Sequence, residues 1–128
     1  MQEYLFVKLG KKFSKIYFSE IIYAEAVKKY VRIITSKKVY LILSAIGSVE
    51  KVLPASQFCR VHRSYIVSLQ FMTDFENDIV YIGDKIFPMG KQYKDSLHRS
   101  VITLSSDTKI EFNRNNNIAQ QLINNTVF

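Results

Sequence analysis

Phe58-Cys59-Arg60-Val61-His62-Arg63-Ser64-Tyr65-Ile66-Val67-Ser68-Leu69 sets strand-forming apolar residues on either side of a polar, cationic knuckle. Phe, Val, Ile and Tyr suit the pleated, half-buried surface of a strand. The spacing on both sides has a period of two, not 3.6. The stretch therefore predicts a strand, a sharp polar interruption and a second strand, with His62, Arg63 and Ser64 presented outward together. Such a knuckle suits the capture of an anion.

The same pattern recurs on both sides of it. Residues Tyr4 to Leu9 and Phe13 to Phe18 flank a turn at Gly10-Lys11-Lys12 and read as an opening hairpin. A second pair, Ile21 to Ala26 and Tyr30 to Thr35, is joined by Val27-Lys28-Lys29, and Val39 to Leu43 is a further strand. Ser44 resembles a helix N-cap, and Ile46, Val49, Val52 and Leu53 then recur at helical spacing as far as Pro54. Beyond the knuckle come a strand around Phe71 to Phe75 and a polar turn at Glu76-Asn77-Asp78. Strands at Ile79 to Ile82 and Lys85 to Pro88 follow, separated by the hairpin signal Gly83-Asp84. A last helix is expected to start near Lys91, with Tyr93, Leu97, Val101 and Leu104 on one face. Short strands divided so often by turns argue against a doubly wound parallel sheet, whose strands need long helical crossovers. The expected class is mainly β: antiparallel sheets with one short central helix and a C-terminal helix.

A chain of 128 residues, 48% of them hydrophobic, can build one domain with a real core. Residues 1–104 are expected to form it, and residues 105–128, rich in asparagine, to be a loosely helical or disordered tail. The net charge of +7 favours a polyanionic partner. In the tail Asp107 and Glu111 balance Lys109 and Arg114, so the excess lies in the body. With Cys59 as the single cysteine there is no internal disulfide and no Cys/His zinc spacing. No apolar run reaches the roughly 18 residues of a membrane span. A cytoplasmic protein without a membrane partner is expected.

Catalysis finds little support. His62 and Ser64 point the same way on an extended segment, yet no third group to orient a base and no oxyanion hole is indicated. Asp74, Glu76 and Asp78 alternate like a metal loop, but the glycine and late glutamate of a calcium loop do not follow, so a solvated turn is expected. The four glycines are scattered, which leaves no phosphate-cradling loop. No cofactor is implied. Cys59 reads as a packed thiol and His98 as surface or boundary. Most aromatic residues fall at alternating strand positions and read as core, although exposed ones could stack the bases of a single strand. What remains is a set of cationic loops: Lys28 and Lys29 with Arg32 just beyond, then Arg60, His62 and Arg63, then Lys91 and Lys94.

Ile21-Ile22-Tyr23-Ala24-Glu25-Ala26, Tyr30-Val31, the stretch Phe58 to Val67 and Phe87-Pro88-Met89-Gly90-Lys91-Gln92-Tyr93 carry a further signal. In these four ordered segments the chain resembles the LytTR DNA-binding domain, the output module of LytR/AlgR-type bacterial response regulators. The resemblance spans about Tyr4 to Leu104. It implies antiparallel sheets whose inter-strand loops, in place of a recognition helix, enter successive major grooves of double-stranded DNA. It implies that the loop after Glu25, the Arg63 region and Lys91 face the duplex. The family often has Asn in the first loop and Arg at the last position, where this chain has Lys29 and Lys91. Lys lacks the planar fork that pairs bidentately with guanine. Arg63 is thus the expected base reader, with Lys29 second, and His62 and Ser64 bond phosphate or brace the turn. Arg60 either joins them or forms an ion pair with Glu25. The expected DNA-binding set is Lys28, Lys29, Arg32, His62, Arg63, Ser64, Lys91 and Lys94. The resemblance also implies a homodimer on repeated sites and a receiver domain or partner protein outside this chain. Two other functions fit the residues alone, a protein-interaction module and a single-stranded nucleic-acid binder.

Overall fold

The computed structural model describes residues 3–106. The expected tail therefore lies almost wholly outside the described residues. Among the described residues, ten strands form three antiparallel sheets. Strands β1 (Tyr4–Leu9) and β2 (Lys12–Tyr17) make the opening hairpin, with Phe6 opposite Lys15 and Lys8 opposite Phe13. A five-stranded central sheet is built from β3 (Ile21–Val27), β4 (Tyr30–Thr35), β5 (Val39–Leu43), β6 (Phe58–His62) and β7 (Tyr65–Ser68), in the order β5-β4-β3-β7-β6. The third sheet holds β8 (Asp74–Phe75), β9 (Ile79–Ile82) and β10 (Lys85–Pro88). Helix α1 (Ile46–Val52) precedes β6, and a 3-10 turn (Lys91–Tyr93) leads into α2 (Lys94–Ser100).

Because successive side chains leave a strand on opposite faces, the central sheet buries both of its sides. Ala24, Ile33 and Ile66 face one core with Val7 and Ile16 of the hairpin and Ile46 and Val49 of α1. Their chain neighbours Tyr23 and Val67 face the other, with Val80, Phe87 and Met89 of the third sheet and Leu97 of α2. The fold is thus layered, with the hairpin on one side of the central sheet and the three-stranded sheet on the other.

Three local expectations are corrected. Ser44 is not the N-cap of α1: the capping position is Ala45, with no side-chain cap, and the Ser44 hydroxyl donates to the Ala45 carbonyl. The strand expected around Phe71 to Phe75 shrinks to Asp74 and Phe75, because Phe71 and Met72 instead donate their amides to the Ser68 carbonyl in a turn. Helix α2 ends at Ser100, where Val101 turns extended, so Leu104 lies beyond it and is 91% exposed.

Candidate nucleic-acid interface

The β3–β4 connection is as short as a hairpin allows, with Val27 paired to Tyr30 across it. Lys28 there has φ of +56°, the left-handed region in which a Cβ is strained. Lys28 and Lys29 are both exposed, and among the described residues neither side chain has a hydrogen bond or an ion pair.

The knuckle between β6 and β7 contains a register shift between Arg60 and His62. Such a bulge bends the strand and re-aims the side chains that follow. Arg60 then holds the bend from within. Its Nε donates to the His62 carbonyl at 3.1 Å and its Nη2 to the Arg63 carbonyl at 2.7 Å. Its Nη1 donates to Glu50 of α1 at 2.9 Å, and its guanidinium lies 5.7 Å from the Tyr93 ring. The Ser64 amide donates to Nδ1 of His62 at 3.1 Å and closes the turn. Both residues thus brace the knuckle. Arg63 is left exposed at its tip, with no side-chain partner among the described residues.

At the 3-10 turn the Gly90 amide donates to the Val61 carbonyl at 2.7 Å. A Cβ on Gly90 would lie 3.0 Å from the Tyr93 ring, which would have to give by a few tenths of an ångström to admit one. Lys91 is exposed and unpartnered among the described residues, while Lys94 donates to the Asn77 side-chain oxygen at 2.8 Å.

Backbone bonds bring these loops together. The Ala26 amide donates to the Ser64 carbonyl at 2.9 Å, which ties the first loop to the knuckle, and the Gly90 bond ties the knuckle to the 3-10 turn. Lys28, Lys29, Arg63 and Lys91 therefore stand on three linked loops. Arg32 is held back from them: its guanidinium donates to Glu25, directly opposite on β3, and Tyr65 donates to the second Glu25 oxygen at 3.3 Å. Burial, and then the carboxylate of Glu25, hold the Tyr65 phenol above its ordinary pKa.

The alternative ion pair of Arg60 with Glu25 is not formed. By alternation Arg60 shares the face of Phe58, toward α1, and there it meets Glu50. Glu50 and Tyr93 were both missed as part of the site. The shared face of Arg60 and Phe58 pointed toward α1, but nothing local marked which acid waited there. Cys59 is a packed thiol as expected, 4% exposed, with burial pushing its pKa up. His98 sits edge-on to Phe75 at 5.3 Å. Among the described residues no group of three or more His, Cys, Asp or Glu side chains could hold a metal, and Glu76 instead accepts the Tyr81 hydroxyl. Nor is any described helix long and apolar enough to cross a membrane.

Comparison with known proteins meets this geometry from outside it. The solved LytTr DNA-binding domain of a Bacillus cereus response regulator shares the fold, with a TM-score of 0.64 over 78% of this chain and 97% of that one at 19% identity. The sensory transduction protein LytT of Bacillus subtilis (strain 168) is 29% identical over 105 residues, 77% of this chain. The chain spans 43% of that relative's length. The model of the LytTr DNA-binding domain matches residues 11–102, which include all three loops. The chain belongs to the LytTR family of DNA-binding domains.

Proposed function

We propose that the chain binds double-stranded DNA at specific sequences, as the output domain of a transcriptional regulator in a bacterial two-component system. The observation that carries this reading is the linkage of Lys28, Lys29, Arg63 and Lys91 on three hydrogen-bonded loops, all without carboxylate partners among the described residues. Loops so joined can follow a duplex, with base contacts in successive major grooves and backbone contacts between them. Arg63 reads a base edge, with Lys29 second. Lys28 and Lys91 contribute mainly to phosphate, His62 and Ser64 keep the knuckle closed, and Arg32 and Lys94 flank the contact. A receiver domain or partner protein outside these residues supplies the signal, and two copies meet on repeated sites.

The test starts from a site selected out of a random duplex pool. Arg63→Ala costs about 1–3 kcal/mol on that site and flattens sequence preference. Lys28→Ala weakens every duplex alike and lowers the salt slope by about one. Equal binding of selected and random duplexes by the unaltered chain, or single strands outcompeting duplex, overturns the reading.

A further inference from the structure

The hairpin carries charge that the three loops leave unexplained. From Tyr4 to Phe18 the sequence holds Lys8, Lys11, Lys12 and Lys15 and no acidic residue. None of the four meets a carboxylate among the described residues. One face of the hairpin is accounted for: Leu5, Val7, Leu9 and Ile16 pack on the first core. The other presents Phe6, Phe13 and Tyr17, each more than two-fifths exposed, around Lys8 and Lys15, while Lys11 lies in the turn and Lys12 stands opposite Leu9 at its edge, exposed. The Lys15 ammonium rests 4.4 Å from the Tyr4 ring and the Lys8 ammonium 6.0 Å from the Phe13 ring. A cation on a ring face keeps its charge while its stem loses freedom, so these lysines are partly pre-positioned.

Their place in the layers matters most. The hairpin lies on the opposite face of the central sheet from the third sheet and Leu97 of α2. Lys8 lines a groove of about 260 Å³ together with Ser44 and Ser48. Ser44 follows Leu43, which pairs with Tyr30, the neighbour of Lys29. Thus the Lys8 end of the hairpin stands near the end of the central sheet that bears the first loop. Packed sheets are about 10 Å apart. The hairpin cations accordingly lie about one sheet spacing from that loop, a length equal to roughly three base steps of about 3.4 Å.

We infer that Lys8, Lys11 and Lys12 contact the phosphate backbone of the same duplex, just outside the bases read by the loops and on the side away from Lys91. This rests on the duplex-binding reading above. Lysine suits the task, being a flexible point charge without the fork that reads guanine. The contact is independent of sequence and adds affinity without specificity.

The experiment uses the full chain with Lys8, Lys11 and Lys12 all changed to Gln, and a second variant with the same three changed to Arg. Two duplexes share one selected site. One ends at its boundary and the other runs on by about six base pairs each way. On the extended duplex the Gln variant binds at least ~10-fold more weakly at low salt, and its log–log salt slope falls by roughly two to three. On the short duplex it matches the unaltered chain. The ratio of selected to random binding is unchanged, and the Arg variant recovers the extended-duplex affinity. Equal losses on both duplexes, no loss on either, or no recovery with Arg overturns the inference. So does competition by polyglutamate or a single strand that the Gln substitutions abolish while duplex binding stays intact. An unaltered chain that prefers no site defeats the loop reading instead, and that result is seen without any hairpin variant.

Discussion

Nη2 of Arg60 donates to the backbone carbonyl of Arg63 at 2.7 Å, so one arginine fixes the loop from which another projects. With the His62 carbonyl, Glu50 and the Tyr93 ring also on the same guanidinium, the knuckle is anchored to α1 and to the 3-10 turn at once. A loop held this way has little freedom left to lose on binding a ligand.

Arg60→Lys keeps the charge but removes the fork that spans two carbonyls. Discrimination between selected and random duplexes should fall by about 1–3 kcal/mol, with the salt slope unchanged. Filter binding on both duplexes checks this. Unchanged discrimination would mean that the Arg60 fork does not hold the knuckle in its reading geometry.

Lys91→Arg tests the last position the other way. Restoring a fork on the 3-10 turn should sharpen base preference near its end of the site, by up to about 1–3 kcal/mol if a guanine lies within reach. Repeating the duplex selection with the variant shows it as one newly fixed base pair. An unchanged motif would mean that Lys91 faces phosphate only.

Most of the fold was legible because the strands are short, apolar and bounded by turn residues. Tyr4–Leu9, Tyr30–Thr35 and Val39–Leu43 fall where runs of strand-forming residues between turns put them. Phe71 misled because an apolar residue in a turn satisfies the same composition as one in a strand, and only the Ser68 carbonyl decides between them. The exposed cations of the three loops could be named from sequence, since charge at a strand junction is a local property. Their supports could not. Glu25 chooses Arg32 and Glu50 chooses Arg60 through sheet register and the path of α1, and both are long-range facts.

Cys59 should resist alkylation at neutral pH until the chain unfolds. Burial raises its thiol pKa, so the nucleophilic thiolate is scarce as well as covered. The raised value has a stability consequence. Below the thiol's ordinary pKa the folded state is not penalised. As pH climbs above that value the unfolded chain ionises first, so stability falls. Tyr65, also raised, acts in the same direction at higher pH. Denaturant midpoints measured from neutral to strongly alkaline pH should decline, and Cys59→Ala should remove the earlier part of the decline.

Lys28 holds a left-handed conformation that costs a side chain about 1–2 kcal/mol. Glycine adopts the same φ without that strain, although its greater freedom when unfolded offsets part of the gain. Lys28→Gly should therefore leave the thermal midpoint equal or slightly higher while weakening duplex binding and lowering the salt slope by about one. Lys28→Ala keeps the strain and loses the charge, so it should weaken binding without any gain in stability. If Lys28→Gly bound duplex as well as the unaltered chain, the strained lysine would have no role at the interface and the first loop would contact DNA through Lys29 alone.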